Sequence, residues 1–376
     1  MKVCIVSCFD WYKERLKYVK EVFEKNGHEV LYFTSDFEHI SKHYVKKLPG
    51  VNYIHTKAYD KNLSIGRILS HIDFARKVYQ ELENRKPDCI YALVPPNSVA
   101  KVVAKYGKKY SNTRIFFDVI DMWPESMPFN KENWLFHVPY KMWQGIRDKY
   151  IHQADIVFTE CDFYQEHIKT VVTPDKLQTL HLVKDILQKV DDSKEAFEGI
   201  IFAYLGSINN ILDIDGICSI LSKLVKRRPV KVRLIGVGET KAVFIERLKM
   251  LGVDVADEGA IYEETEKNRI LHQCDFGLNM MKKGTYVGLT TKSIDYFSAG
   301  LPVLNNIAGD TEHLVEKYDA GFNVRKQPED MLITQLVELS AERKEQLHQN
   351  AFRLFCSNFT PEIFRSKLEE RLQGIL

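Results

Sequence analysis

The apolar positions of this chain fall into short runs separated by amphipathic stretches. Residues 2–8 are almost continuously Val, Ile and Cys, which predicts a strand covered on both faces. An amphipathic stretch over 11–25 follows, closed by Asn26-Gly27, and a second apolar run occupies 29–34. With such short connections the three segments make a βαβ unit. The alternation continues with strands over 89–93, 115–119 and 156–159 and helices around 67–85, 97–110 and 139–152. A doubly wound, parallel α/β domain is the architecture this order predicts.

Near 183–199 the pattern lapses into the polar VKDILQKVDDSKEAFEG, and the linker is placed there. A second series then begins. It has strands over 200–205, 230–235, 253–255 and 275–279, with helices to about 226 and over 241–251. The expected organisation is a first Rossmann-like domain over 1–185 and a second over 186–357. The last helix, within about 358–376, is expected to pack back on the first domain. Two such domains would face a central cleft with the carboxyl ends of their strands, where open α/β sheets bind ligands.

Composition narrows the class. At 376 residues, with 45% apolar and 28% charged residues, the chain has the balance of a folded globular protein. The N-terminal apolar run is too short for a signal peptide, and no run reaches membrane-spanning length, so the expected location is cytoplasmic, peripheral at the inner face of the membrane if it meets one. Seven scattered cysteines form no close doublets and read as reduced core residues. Net charge is +2, with 28 basic against 23 acidic residues in 1–185 and 25 against 28 in 186–376. That balance suits an anionic acceptor or a membrane surface and falls short of a nucleic-acid signature. Lys101, Lys105, Lys108 and Lys109 share one helical face, and Trp134, Leu135, Phe136, Tyr140 and Trp143 form an aromatic-rich stretch. Both are membrane-contact candidates, weighed against a solvated face and an ordinary core.

The chemistry concentrates in 282–306, KKGTYVGLTTKSIDYFSAGLPVLNN. Its glycine- and hydroxyl-bearing loop precedes a short helix, so Tyr286, Val287, Gly288, Leu289, Thr290 and Thr291 are candidates to offer backbone N–H groups to phosphate. Lys292 and Asp295, one turn apart, supply a cation for phosphate and a carboxylate for sugar hydroxyls. An exposed i,i+3 ion pair explains the same residues equally well. Gly206-Ser207 and Gly236-Val237-Gly238 end two strands of the second series, as phosphate loops do and as tight turns do. In the first domain Asp121 and Glu125 flank Trp123 just beyond a strand. They are candidates to act on an acceptor hydroxyl, with Trp123 offering a stacking face; an Asp121 helix cap before Pro124 competes with that reading. Asp213 and Asp215 sit on different helical faces and the histidines show no ligand spacing, so no metal is expected.

These segments together resemble the GT-B glycosyltransferases, in particular the retaining family 4 of bacterial polysaccharide and glycolipid synthesis. The carriers are FAYLGSIN (202–209), VRLIGVGE (232–239), CDFGLNM (274–280), KSIDYFSAGLPVLN (292–305), DMWPES (121–126) and ADIVFTEC (154–161). The resemblance implies a C-terminal domain that binds a nucleotide diphosphate sugar and an N-terminal domain that binds a saccharide or lipid-linked acceptor, with no further cofactor. Of the family's two donor-site glutamates eight residues apart, Asp295 takes the second, ribose-side position and Val287 the first. The family's basic pair after the first C-domain strand has no counterpart in 206–212, and Asp121 stands near the family's N-domain histidine. Lys292, with the amides of Gly206-Ser207 and Tyr286–Leu289, is then the expected partner of the departing diphosphate, which itself takes the acceptor's proton. A sugar-nucleotide epimerase of the same architecture and a non-catalytic nucleotide-sugar-binding protein remain as alternatives.

Overall fold

The structure is a computed structural model. It describes the chain except residues 10, 11, 63, 128–133, 187–195 and 376, and only the backbone of 134–136. The chain divides into two compact units, Met1–Val183 with Pro361–Leu376, and Lys184–Thr360.

The first unit contains β1 (Lys2–Ser7), α1 (Lys13–Lys25), β2 (Glu29–Ser35), β3 (Asn52–Ile54), α2 (Ile65–Arg85), β4 (Cys89–Val94) and α3 (Asn97–Lys109). It continues with β5 (Arg114–Val119), α4 (Trp134–Ile151), β6 (Ile156–Thr159), α5 (Asp162–Ile168) and β7 (Leu177–Thr179). Its seven strands run in the order β3-β2-β1-β4-β5-β6-β7, all parallel. β4 is buried at every position, as a central parallel strand covered on both faces must be. The expected strands and helices of this half are found within a few residues; Trp11, the expected first helical residue, lies outside the described residues. β3 and β7 were not expected, because three residues carry too little alternation to register.

The second unit contains β8 (Ile200–Leu205), α6 (Ile214–Leu224), β9 (Val230–Ile235), α7 (Lys241–Met250), β10 (Asp254–Gly259), α8 (Glu264–His272) and β11 (Phe276–Asn279). It continues with α9 (Thr291–Ser298), β12 (Val303–Asn305), α10 (Asp310–Tyr318), β13 (Gly321–Asn323), α11 (Glu329–Val337) and α12 (Ala341–Asn358). The parallel order is β10-β9-β8-β11-β12-β13, so strand order reverses at β8 and β11. Local chemistry sets the helix starts: the Asp213 carboxylate accepts the Gly216 N–H at 3.0 Å, and Thr290 Oγ1 accepts the Ser293 N–H at 3.1 Å.

The last helix, α13 (Pro361–Leu372), belongs to the first unit. Phe364, Leu368 and Leu372 join Leu16, Val19 and Phe23 of α1 in one buried cluster, and Arg365 pairs with Glu21 at 2.9 Å. All seven cysteines are free thiols and six are buried. Among the described residues no helix is long and apolar enough to cross a membrane.

Candidate functional site

In the second unit the loops that leave β8 and β11 meet at the point where strand order reverses. Leu212 and Met281 form an antiparallel bridge, and the Lys282 N–H donates to Ile211 O at 2.9 Å. The glycine loop after β9 is pressed onto the loop after β8. A Cβ on Gly236 would lie 2.0 Å from Gly206 O, and one on Gly238 would lie 2.1 Å from Ile208 O. These two glycines are therefore required for backbone packing. The N–H groups of Gly206 and Gly236 are also spent inside the protein, on Ile235 O at 2.9 Å and Gly259 O at 2.6 Å. That corrects the expectation that Gly206 offers its amide to a phosphate. Among the described residues, the N–H groups of Ser207, Val287, Gly288 and Leu289 have no protein acceptor.

Lys292 is the second residue of α9. Its ammonium donates to Tyr204 Oη at 3.2 Å and lies 4.5 Å from the centre of the Tyr204 ring. Among the described residues no carboxylate pairs with it, and burial pulls its pKa down to about 8. A cation–π contact offsets part of that desolvation. α9 sits close on the sheet because Gly277 has no side chain: a Cβ there would be 2.6 Å from the Tyr296 ring. Tyr296 Oη in turn accepts the Leu205 N–H at 2.8 Å.

Asp295, expected as a ribose-side carboxylate, is buried and already paired. Lys184 donates to its Oδ1, and Lys267 lies 3.4 Å away. Both lysines also reach Glu264, each at 2.5 Å, so two cations and two carboxylates form a neutral cluster. Burial lowers the pKa of Lys184, but Asp295 and Glu264 outweigh it and the net shift is upward. A ribose at Asp295 would share the carboxylate with Lys184. Sequence reasoning missed both lysines, since Lys184 lies in the linker and Lys267 inside a helix with no motif.

A second missed feature has a visible trace in the sequence, because β11, β12 and β13 each end in Asn. The three stand in register, Asn279↔Asn305↔Asn323. Thr290 Oγ1 donates to Asn279 Oδ1 at 3.2 Å, Asn279 Nδ2 to Asn305 Oδ1 at 2.8 Å, Asn305 Nδ2 to Asn323 Oδ1 at 2.8 Å, and Asn323 Nδ2 to Glu312 O at 2.9 Å. This head-to-tail chain ties the cap of α9 to α10 across the strand ends. From the other side, the Thr311 N–H and Oγ1 both hold Gly288 O, at 2.9 and 2.8 Å. The loop before Lys292 is thus anchored at both ends.

In the first unit the residues beyond β5 are committed internally. Glu125 is buried and bound by both terminal nitrogens of the fully buried Arg147, at 2.7 and 2.8 Å, with His167 at 3.0 Å. Asp121 accepts Trp123 Nε1 at 2.7 Å and Ser126 Oγ at 2.5 Å. Burial raises the Asp121 pKa against those hydrogen bonds. Trp123 offers no open stacking face: the Arg67 guanidinium lies 4.4 Å over the ring and His71 stacks at 5.8 Å. Asp213 caps α6 and Asp215 pairs with Arg247 at 2.5 Å, which accounts for both acids of that doublet.

No protein-family model and no curated protein matches this sequence. Solved structures do match, over nearly the whole of both chains. Sucrose-phosphate synthase from Thermosynechococcus elongatus superposes with a TM-score of 0.74 at 12% identity, covering 100% of this chain and 99% of that one. The apo lipopolysaccharide outer core galactosyltransferase WaaB gives 0.69 at 14% identity, and HepE of Anabaena in complex with UDP-glucose gives 0.64 at 13%, both with full coverage of each chain. The two parallel sheets of this chain therefore make up the GT-B glycosyltransferase fold.

Proposed function

We propose that the chain is a retaining glycosyltransferase of polysaccharide or glycoconjugate synthesis. It moves a sugar from a nucleotide diphosphate sugar to a glycan or lipid-linked saccharide, with the donor on the second unit and the acceptor on the first. The observation that carries this is Lys292: a partly buried ammonium with no carboxylate partner among the described residues, in the helix that follows a loop whose Val287, Gly288 and Leu289 N–H groups have no acceptor among them either, where strand order reverses at β8 and β11. Buried charges are ordinarily paired, and a diphosphate is a counter-ion of the right charge for that place. HepE, with the same fold, holds UDP-glucose, in keeping with a uridine nucleotide donor here.

In this mechanism Lys292 and the amides of Ser207 and Val287–Leu289 neutralise the charge that develops on the departing diphosphate. Asp295, held by Lys184 and Lys267, orients the ribose. The leaving phosphate accepts the acceptor proton, so no protein nucleophile is needed. Asp121, with its raised pKa, orients an acceptor hydroxyl, and Glu125 holds Arg147 and thereby the β5 exit. Thermal unfolding with UDP, GDP and their sugars tests the donor site: a ligand at 100 times its Kd adds about 2.7 kcal/mol of stability. The reading fails if none of these nucleotides raises the melting temperature.

A further inference from the structure

α2 buries one face and leaves the other unusually apolar. Ile65, Ile68, Leu69 and Ile72 stand at i, i+3, i+4 and i+7 along its first two turns, and all four are exposed, Ile65 at 76% and Leu69 and Ile72 at 51% each. A helix of an α/β unit ordinarily points polar side chains outward. A cluster of aliphatic residues on one outer face marks a surface that something else covers.

The neighbouring segment adds to the same surface. Phe37 and Tyr44 form an antiparallel bridge, and Lys42 donates to Asn62, just before the α2 cap Ser64. Tyr44 donates to Thr56 O at 3.1 Å and stacks on His55. The 40–48 stretch therefore lies along 55–62 at the start of α2. It exposes Ile40 at 72% and Leu48 at 61%.

Charge identifies the partner. Residues 38–77 contain eight Lys or Arg and three Asp or Glu, a concentration equal to the whole positive excess of the first half. Asp73 is spent on Arg76 and Lys77, at 3.3 and 2.7 Å. Lys46, Lys47, Lys57 and Lys61 are exposed and have no ion-pair partner among the described residues. Lysine is depleted in protein–protein interfaces, whereas lysines around inserted aliphatic residues are what an anionic bilayer surface attracts. The lysine face of α3 is a weaker candidate, because Lys109 is held by Glu83 at 2.8 Å.

We propose that the aliphatic face of α2, with the lysine-rich stretch of residues 40–62, is a docking surface for a bilayer of anionic lipid. The isoleucines enter the headgroup boundary, and the lysines lie over the lipid phosphates. This surface is independent of the donor site.

Vesicle sedimentation with the full chain tests it, using phosphatidylcholine alone and an equimolar mixture with phosphatidylglycerol. The protein sediments with the mixed vesicles and is released by salt. Ile65→Ser with Leu69→Ser and Ile72→Ser weakens binding by at least ~10-fold. Lys→Gln at 46, 47, 57 and 61 weakens it by about fivefold per lysine at low salt. Both variants keep the wild-type melting temperature and nucleotide response, because the altered residues are exposed and lie in the other unit. Three results would overturn the proposal: no sedimentation with mixed vesicles, equal binding by wild type and variants, or a wild-type dimer in solution that the serine variant dissociates. A missing nucleotide response with intact vesicle binding would count against the donor reading alone.

Discussion

Glu125 follows β5 and Lys292 opens α9, the helix after β11, yet the charges of these two strand-end regions are handled in opposite ways. Glu125 is closed into a bidentate pair with Arg147, and the guanidinium is fully buried. Lys292 has a phenol oxygen and an aromatic face but no carboxylate among the described residues. A buried pair whose members satisfy each other is part of the architecture. A desolvated cation left uncompensated is held at a cost, and such costs concentrate where ligands bind. Asp295 lies between the two cases, buried yet balanced by two lysines shared with Glu264.

The comparison breaks first at Glu125. Glu125→Ala takes the bidentate partner from the fully buried Arg147 and leaves it Asp148 as its carboxylate, at 2.8 Å, so unfolding free energy should fall by about 3 kcal/mol in denaturant titration, the lower end for a broken buried pair. A variant of unchanged stability that nevertheless loses turnover would move Glu125 from architecture to chemistry. Lys292→Ala should behave in the reverse sense. Sugar transfer falls by about 10²–10³-fold, the usual loss for one preorganised group facing a developing oxyanion, while stability is kept because no ion pair is lost. Near-normal transfer would remove Lys292 from the mechanism.

The pH dependence is the finest discriminator. Burial holds the Lys292 ammonium at a pKa of about 8 in the folded chain, against 10.5 for a free lysine side chain. Between those values the unfolded chain binds more protons, so this residue's contribution to stability rises with pH across that window. Nucleotide binding runs the other way, because the diphosphate needs the ammonium. Affinity should weaken above about pH 8, by at most tenfold per unit, and calorimetry near pH 8 should show proton uptake on binding. An identical profile in Lys292→Met would mean that another group titrates.

Much of this was legible in the order of residues. The alternation of apolar runs with amphipathic stretches gave two βαβ series, because strands buried on both faces have to be continuously apolar. The loop, helix and glycine of 282–306 marked the donor-site candidate. Other features escaped because they depend on residues far apart in the chain. The meeting of Lys184 with Asp295 spans 111 positions, and the chain Asn279–Asn305–Asn323 exists only once three short strands are in register. The glycine loop after β9 reads in the sequence as a phosphate loop or a tight turn alike, and in the fold the small size of Gly236 and Gly238 serves the approach of two backbones.

By itself, then, the sequence determined two doubly wound parallel domains and the strand-end loops where function should be sought. Periodicity is local, and the handedness of βαβ connections leaves little freedom in joining such units. Only the tertiary structure decided which charges are free. The tenant of a buried carboxylate is set by packing between distant elements, and so the sequence offered Glu125 and Lys292 as equals while the fold neutralised one and left the other without a carboxylate among the described residues.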